Sequence, residues 1–383
     1  MIRICHVIGA MERAGAETFL MNLYRSIDRS KVQFDFLVHT DKSAAYDDEI
    51  YALGGRIFRA PSIESKNLFK LYSFYKRFFN EHQEISIVQG HLGSMAALYL
   101  LAAKKAGLYT IAHSHAQNYP LSYEQVLFQI ITFPTRFIAD HFFGASTEAG
   151  NDRYGKKIVH SNKFNVVLNG VDLEKYFFSQ ERRTQMRSSL GLNADQTVLV
   201  HVARFDPVKN QAFLLDVYSE FRKQCPNSVL LIVGGGGSEG QNLKNRVDEL
   251  QLNNCVKFLG IRDDIHDILQ AGDVFIMTSF SEGLSVASVE AQATGLPCVV
   301  STGFPPALNW SKKVHFIDLE LPISVWVNAI KDSIIQIRSR QPHRIEGAKL
   351  ARENGFDMQS TAAWLEAFYI NASAKKNKEN WRR

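Results

Sequence analysis

Apolar residues along the chain fall into short runs, and between many of the runs they recur every three to four positions. In the first half, the runs predict β-strands at 2–8, 34–39, 85–89, 109–112, 142–145 and 164–167. Segments between them have helical periodicity, most clearly at 16–27 and 94–105. This alternation predicts a parallel sheet that is covered by helices on both faces.

The same pattern restarts in the second half and predicts a second unit. Strands are predicted at 197–202, 229–233, 256–259, 274–278 and 297–300, and helices at 211–225, 243–250, 265–270 and 284–293. The fold class is therefore α/β, with two Rossmann-like doubly wound parallel-sheet domains at 1–172 and 173–355. Ligands of such sheets bind beyond the carboxyl ends of the strands. We expect the two domains to face a shared central cleft.

Composition and charge narrow the class of protein. Of 383 residues, 45% are hydrophobic and 22% are charged, which is typical of globular proteins, and the length favours two domains. The net charge of +5 suits an anionic substrate or membrane surface. Because the chain has no arginine-rich arm, we expect no nucleic acid partner. The cysteines form no C-x-x-C pair, which indicates free thiols in a reducing compartment; they are Cys5, Cys225, Cys255 and Cys298.

Two apolar segments could be mistaken for targeting or membrane segments. Residues 2–9 are too few for a signal peptide and are interrupted by Arg3 and His6. The stretch 126–143 carries Arg136 and Asp140 and therefore does not span a bilayer. We expect a cytoplasmic protein.

A third segment, 67–79, alternates aromatic residues with Lys70, Lys76 and Arg77. This pattern suits an interfacial helix on the anionic inner face of the cell membrane. It is equally compatible with a helix whose aromatic residues face the core and whose basic residues are solvated. Both interpretations stay open at the level of sequence.

The strongest candidate site follows the strand predicted at 274–278. Glu282 precedes a predicted helix, and the amides of Leu284, Ser285 and Val286 at the helix start suit a phosphate, because the positive end of the helix dipole lies there. Glu290, further along the helix, could accept hydrogen bonds from sugar or ribose hydroxyls. An ordinary capped surface helix with two solvated glutamates fits the same pattern.

A second candidate site follows the strand predicted at 197–202. Arg204 and Lys209 lie five positions apart in the loop, so a guanidinium and an ammonium can converge on a diphosphate. Their contribution would be largest in the transition state, when charge builds up on the departing nucleoside diphosphate. Two exposed surface charges are the alternative.

A glycine-rich loop follows the strand predicted at 229–233. Residues 235–240 satisfy G-x-G-x-x-G, which suggests a dinucleotide site. Such a site needs a carboxylate at the end of the next strand, and none appears there before Asp263. We therefore give the NAD interpretation less weight and keep Gly234 and Gly236 as positions where a nucleotide could approach the backbone.

The first unit offers two further candidates. Gly15 and Ala16 open a helix after the first strand and could bind a phosphate or a sugar. His113 and His115 end the strand at 109–112; a metal is one interpretation, but no third ligand is near in sequence, and a hydroxyl contact is favoured. The chain contains no Asp-x-Asp triplet for a metal at a diphosphate, so cationic side chains and a helix dipole would replace it.

With these residues in this order, the chain resembles the GT-B glycosyltransferases of family 4, especially bacterial members that assemble capsular or exopolysaccharide repeat units. The resemblance covers nearly the whole length. It rests on the loop at 15–17, the histidines at 113–115, the link at 169–172, the cations at 204 and 209, and the segment 282–290. The departures are Ala14, Gly235 and the segment 301–306, which lacks acidic residues. The second and third departures leave the donor undefined.

The resemblance implies a retaining, metal-independent transfer with no cofactor. Arg204 and Lys209, with the amides at 284–286, would hold the diphosphate of the donor, and Glu290 would bind the ribose hydroxyls. Glu282 would contact the donor sugar. His115 or His113 would lie beside the transferred sugar, and the backbone near Ile261 would touch the base. No side chain is placed as a nucleophile, so a front-face mechanism is implied.

The resemblance also implies the substrates. The donor would be a hexose on a nucleotide diphosphate, with UDP favoured, and the acceptor a glycan or a lipid-linked glycan, with peripheral membrane contact. In this fold a last helix, near 356–372, returns to the N-terminal domain. Two alternatives are a nucleotide-sugar isomerase of the UDP-N-acetylhexosamine 2-epimerase type and a catalytically silent partner subunit.

Overall fold

The computed structural model describes residues 1–61, 68–115, 123–339 and 344–380. By their contacts, the residues form two compact units: Met1–Gly170 with Met358–Arg383, and Val171–Asp357. We call them unit 1 and unit 2. Each contains one parallel sheet with helices on both faces.

Unit 1 has a seven-stranded sheet of order β3-β2-β1-β4-β5-β6-β7. The strands are β1 Ile2–Ile8, β2 Val32–Val38, β3 Arg56–Arg59, β4 Ile85–Gly90, β5 Tyr109–Ser114, β6 His141–Gly144 and β7 Phe164–Val166. The helices are α1 Gly15–Ser26, α2 Asp47–Ala52, α3 Leu68–Glu81, α4 Ala96–Lys105, α5 Tyr123–Thr132, α6 Thr135–Ile138, α7 Thr147–Tyr154 and α8 Lys156–Val159. The order reverses between β1 and β4, which places the ends of β1, β4 and β5 side by side.

Unit 2 has a six-stranded sheet of order β10-β9-β8-β11-β12-β13. The strands are β8 Thr197–Val202, β9 Ser228–Val233, β10 Val256–Gly260, β11 Val274–Met277, β12 Cys298–Ser301 and β13 Val314–Ile317. The helices are α9 Leu173–Tyr176, α10 Gln180–Ser189, α11 Gln211–Gln224, α12 Gly240–Glu249, α13 Ile265–Ala271, α14 Val286–Ala293, α15 Ile323–Ser339 and α16 Glu346–Glu353. Here β8 and β11 are neighbours.

The last helix, α17 (Met358–Asn380), belongs to unit 1. Its buried residues recur every three to four positions and pack with α1 on one face of the sheet; they are Met358, Ala362, Leu365, Tyr369 and Ala372. Successive residues of β1 serve opposite faces, since Ile4 joins this cluster and Cys5 joins the one under α3 and α4. Burial on both faces explains the continuous apolar runs of the central strands.

The predicted α/β class with two doubly wound parallel sheets is confirmed. The sequence pattern missed one edge strand of each sheet, β3 and β13. Both have only four residues, and most of those residues are not fully buried. An edge strand has one neighbour and needs no continuous apolar run, so periodicity gives little signal for it.

The aromatic helix α3 contributes to the core of unit 1. Tyr75, Phe78 and Phe79 are buried, whereas Lys76 and Arg77 are exposed. Residue 67 of the predicted interfacial segment lies outside the described residues. These buried aromatic residues support the core interpretation for most of α3. At its start, however, Phe69 is 88% exposed next to exposed Lys70, which fits the interfacial interpretation. In the described part of the chain, no helix has the length and apolarity that crossing a bilayer requires.

Candidate functional site

The loops that follow β8 and β11 meet in unit 2. Lys209, at the end of a short 3-10 turn after β8, donates from Nζ to Oε1 of Glu282 over 2.5 Å. Ser279 Oγ donates to the same oxygen over 2.7 Å. The Lys209 and Glu282 side chains are only 19% and 9% exposed, so water screens the pair weakly. The structure thus brings together two predicted residues that lie 73 positions apart.

Backbone contacts hold these two loops in register. The Phe280 amide donates to the Val208 carbonyl over 2.9 Å. Thr278 Oγ1 donates to the Asn210 carbonyl over 2.9 Å. These contacts fix the backbone at Lys209, and the hydrogen bond to Glu282 then fixes its ammonium group.

Arg204 lies on the same loop, with its side chain 54% exposed. Its Nη2 is 3.2 Å from Asp206 Oδ2, and Asp206 Oδ1 accepts the Val208 amide over 3.1 Å. Asp206 therefore caps the turn and restrains the guanidinium, a role that sequence reasoning missed. An arginine has five N–H donors, so a single carboxylate oxygen leaves most of them available to an anion.

The helix start after β11 differs from the prediction. Helix α14 begins at Val286, and Ser285 is its N-cap residue. The prediction of a free Ser285 amide is wrong, because that amide donates to the Gly283 carbonyl over 3.0 Å. The turn at Gly283 directs the Leu284 side chain into the core, where it is 4% exposed, and this delays the helix by two residues. The amides of Val286 and Ala287 occupy the first turn, where helical N–H groups have no intrahelical partner.

Glu290, in the second turn of α14, pairs with a residue that sequence reasoning missed. Tyr176 Oη, at the end of α9, donates to Glu290 Oε1 over 2.5 Å. Burial raises the pKa of Glu290 to about 7, although the hydrogen bond from Tyr176 acts in the opposite direction. Burial, with the charge of Glu290, also holds the pKa of Tyr176 well above its usual value. The carboxyl group of Glu290 is thus poised to change charge near neutral pH.

The glycine-rich loop after β9 packs against the loop after β8. A Cβ atom on Gly234 would lie 2.0 Å from the Ala203 carbonyl oxygen, so Gly234 has a packing role. Gly236 has φ +66° and open space around its missing side chain. Ile261, 60% exposed, lies beside Gly235, whose Cβ would be 3.2 Å from Ile261 Cγ1. Of the glycines predicted to admit a nucleotide, Gly236 has the open backbone.

In unit 1, Gly15 is the first residue of α1, and a Cβ there would meet nothing within 4 Å. Ala16 follows it in the first turn and is partly buried. No side chain caps this helix among the described residues. The backbone of the predicted loop is therefore open to a ligand.

The histidine pair of β5 is part of a larger cluster. His91, directly after the neighbouring strand β4, places Nδ1 2.7 Å from His115 Nε2. Its Nε2 is 3.0 Å from Nδ1 of His6, in β1. No third histidine lies near His113 and His115 in sequence, but the neighbouring parallel strand β4 brings His91 to them in space. In the sequence, His91 lies two positions after the strand predicted at 85–89, and only the pairing of β4 with β5 brings it to the other two histidines.

Burial keeps these imidazoles neutral. It lowers the pKa of His6 to about 3 and of His115 to about 4, and holds the pKa values of His91 and His113 well below the usual range. His6 Nε2, His113 Nε2 and His115 Nδ1 are buried without hydrogen-bond partners in the described parts of the chain.

A cavity of about 140 Å³ lies beside the histidines. Its polar lining includes Thr135 and Arg153 as well as His91, His113 and His115. Thr135 Oγ1 and Arg153 Nη1 are buried and have no hydrogen-bond partner among residues 1–61, 68–115, 123–339 and 344–380. Burial lowers the pKa of Arg153, and its guanidinium lies 4.2 Å from the centre of the Phe128 ring. Sequence reasoning missed Arg153, which sits at no strand end.

Two family profiles match the sequence. One, described as "Glycosyl transferases group 1", covers residues 182–309, and the other, "Glycosyltransferase Family 4", covers 13–175. EpsF of Bacillus subtilis (strain 168), named as a glycosyltransferase, is 32% identical over 98% of this chain and 98% of its own. The UDP-Gal:alpha-D-GlcNAc-diphosphoundecaprenol alpha-1,3-galactosyltransferase of Escherichia coli is 27% identical over 82% of this chain and 81% of its own.

One solved structure, Anabaena HepE in complex with UDP and glucose, has a TM-score of 0.77 at 20% identity. The match covers 96% of this chain and 99% of that chain. At this identity the likeness shows the fold alone. It confirms the predicted GT-B fold, in the sense of two Rossmann-like domains.

Proposed function

The chain belongs to glycosyltransferase family 4 and is a glycosyltransferase, and on that premise we propose that it transfers a hexose from a UDP-sugar to a lipid-linked glycan, with retention and without a metal at the diphosphate. The pathway we propose is bacterial capsular or exopolysaccharide synthesis. The observation that carries the proposal is the Lys209–Glu282 pair at the ends of β8 and β11.

Three groups in unit 2 would stabilise the departing diphosphate. The Lys209 ammonium is held in place before any ligand binds, Arg204 keeps donors available, and the first-turn amides of α14 add the positive end of the helix dipole. Preorganised positive charge of this kind is most effective where charge develops in the transition state. These groups would perform the task that a metal ion performs elsewhere.

Glu282 would have two roles: its carboxylate pairs with Lys209, and it would also contact the donor sugar. Lys209 and Ser279 both donate to Oε1. In the described contacts this leaves Oε2 for a hydroxyl of the hexose. With its pair to Lys209 the carboxylate is a positioning group, which supports a front-face transfer in which the leaving phosphate helps to deprotonate the acceptor. The family resemblance assigns His115, in unit 1, to the transferred sugar.

The UDP assignment is supported by two likenesses and by Glu290. HepE was solved with UDP and glucose, and the Escherichia coli relative is named for a UDP-Gal donor. Glu290 Oε1 accepts a hydrogen bond from Tyr176, which orients the carboxyl group. In this arrangement the other oxygen, Oε2, would accept from the ribose hydroxyls. The exposed side chain of Ile261, beside Gly235, would offer an apolar surface to the base.

For the acceptor, we propose a lipid-linked sugar diphosphate. The Escherichia coli relative is named for such an acceptor. In unit 1, the cavity beside the histidines presents Arg153 Nη1 and Thr135 Oγ1 without partners. A buried cationic hydrogen-bond donor is unfavourable unless it pairs with an anion. A phosphate of the acceptor would accept hydrogen bonds from both groups.

A lipid-linked acceptor requires contact with the membrane surface, and we propose that α5 and α6 provide this contact. Five large apolar side chains are exposed there: Val126, Ile130, Ile131, Phe133 and Phe137. The Arg136 guanidinium lies 4.9 Å from the centre of the Phe133 ring. Exposed apolar residues beside a cation suit the interface of an anionic bilayer.

Removing the two cations tests the proposed reaction. For the Arg204→Ala, Lys209→Ala variant we expect kcat to fall by roughly 10²–10³ or more, because each lost donor of this type costs that order. The assay follows release of UDP from UDP-hexoses with and without a membrane extract as acceptor. Lys244→Ala, an exposed lysine on α12, is the matched control and should keep full activity.

Two results of this assay would contradict the proposal. One is full turnover by the double variant. The other is conversion of the donor sugar in the absence of any acceptor, which is the behaviour of an isomerase. Unchanged activity of the parent after chelator treatment is expected, because no step is assigned to a metal at the diphosphate.

The raised pKa of Glu290 predicts pH-dependent nucleotide binding. Below pH 7 the carboxyl group is protonated and accepts ribose hydrogen bonds poorly, so UDP should bind more tightly as the pH rises. With a pKa of about 7, the gain between pH 6 and 8 is about tenfold at most. Calorimetric titration of UDP into the parent and Glu290→Gln measures it. In Glu290→Gln, any remaining pH dependence of the UDP affinity comes from the ionisation of UDP itself. If the UDP affinities of the parent and the variant depend on pH in the same way, Glu290 does not bind the ribose as proposed.

Arg153→Met tests the acceptor site. We expect KM for the lipid-linked acceptor to rise about tenfold or more, since a charge-assisted hydrogen bond contributes roughly 1.5–3 kcal/mol. KM for the UDP-sugar should not change. Steady-state kinetics with each substrate varied in turn separates the two. An Arg246→Met control removes an arginine of α12 in unit 2. If Arg153→Met changes the KM for the acceptor and the KM for the UDP-sugar equally, Arg153 does not act specifically in acceptor binding and the proposed acceptor site is wrong.

A further inference from the structure

The histidine cluster of unit 1 is the largest group of potential metal ligands in the described part of the chain. One ring nitrogen from each of His91, His113 and His115 lies within 4.8 Å of the other two. We propose that these three histidines bind a divalent transition-metal ion of the zinc type. Nothing in the proposed transfer reaction requires this ion, and the site lies in unit 1, whereas the cations assigned to the diphosphate lie in unit 2.

The donor set decides the class of ion. Neutral imidazole is a good ligand for zinc, copper, nickel and cobalt ions, whereas magnesium, calcium and manganese prefer oxygen ligands. Zinc sites with three protein ligands keep a fourth position for water or another ligand. The cavity of about 140 Å³ beside His91, His113 and His115 has room for that ligand.

The hydrogen bonding of the cluster is incomplete without a further partner. His6, His91 and His115 form a chain of neutral imidazoles, and each neutral ring has one donor and one acceptor nitrogen. Whichever way the chain runs, one end keeps a buried N–H without an acceptor and the other a lone pair without a donor. These ends are His6 Nε2 and His115 Nδ1. A metal ion would take up the lone pairs of His91 Nδ1, His115 Nε2 and His113 Nε2, and the last of these has no hydrogen-bond partner among the described residues.

In metal sites, a histidine that binds the ion with one ring nitrogen usually forms a hydrogen bond with the other, and this bond orients the ring. Two of the proposed ligands have such partners. His6 Nδ1 contacts Nε2 of His91 over 3.0 Å, which leaves Nδ1 of His91 for the ion. Gln89 lies 3.1 Å from Nδ1 of His113, and its other amide atom contacts the Tyr369 hydroxyl over 2.7 Å. Rotating the Gln89 amide by 180° lets His113 Nδ1–H donate to it, and His113 Nε2 then presents its lone pair.

For the His91–His115 pair, binding would need only a small adjustment, and the nitrogen of His113, within 4.8 Å of the other two, would have to approach them. His91 Nδ1 and His115 Nε2 are 2.7 Å apart as a hydrogen-bonded pair. Two nitrogens bound to a tetrahedral zinc ion at about 2.05 Å lie roughly 3.3 Å apart. The pair therefore separates by well under 1 Å when coordination replaces the hydrogen bond. Because His91 follows β4 and His115 follows β5, the ion would also join the ends of these strands.

Cobalt binding tests the proposal directly. The full chain without a histidine tag is treated with chelator, desalted and titrated with Co²⁺ while the visible d–d absorption is recorded. We expect one equivalent to give a tetrahedral-type spectrum that Zn²⁺ abolishes. The His91→Gln, His113→Gln double variant should lose at least nine-tenths of the signal. His160→Gln, an exposed histidine after α8, is the control and should keep it.

An absence of visible Co²⁺ absorption in the parent would overturn the proposal, as would a full signal in the double variant. If the double variant does not fold, X-ray absorption spectroscopy of the zinc-loaded parent shows whether histidines or cysteines bind the ion. We expect an imidazole shell at about 2.0–2.1 Å, whereas sulfur scattering would assign the ion to a cysteine and reject the histidine site. Zinc should also raise the Tm of the parent, since a ligand of the folded state stabilises it.

Discussion

The ion pair between Lys209 and Glu282 is the interaction on which the account of this protein depends. The two residues are far apart in the chain, but β8 and β11 are neighbours in a parallel sheet, so their loops leave the sheet at the same edge. The pair is largely shielded from water, and Ser279 donates to the same carboxylate oxygen as Lys209. In the proposed transfer, a cation fixed in this way would need no reorganisation while negative charge grows on the departing diphosphate.

The two units offer different chemistry around similar sheets. Unit 2 presents charged groups at the ends of β8 and β11 and an acid, Glu290, whose proton affinity is tuned by burial. Unit 1 presents neutral imidazoles within β1 and at the ends of β4 and β5, and Arg153 lines the same cavity as three of them. This division fits a transferase in which one domain activates the donor and the other receives the acceptor. In both units the topology collects the functional residues at the carboxyl ends of adjacent strands.

Sequence reasoning recovered what depends on local pattern and on strand order. The central strands are continuous apolar runs because both faces of each sheet are covered, and Lys209 and Glu282 were found because each follows such a run. What failed depends on tertiary contacts. Tyr176, His91 and Arg153 acquire their roles only from neighbours on other elements, and no spacing rule points to them. The start of α14 was misplaced because the turn at Gly283 buries Leu284 before the helix can begin.

The central claim is that Lys209 contacts the terminal phosphate of the nucleotide. The most direct measurement compares the affinities of UDP and UMP, which differ by that phosphate, for the parent and for Lys209→Met. The account predicts that the parent prefers UDP by tenfold or more, the order expected of a charge-assisted contact, and that the variant loses most of this preference while its affinity for UMP stays the same. An equal preference for UDP in both proteins would contradict it.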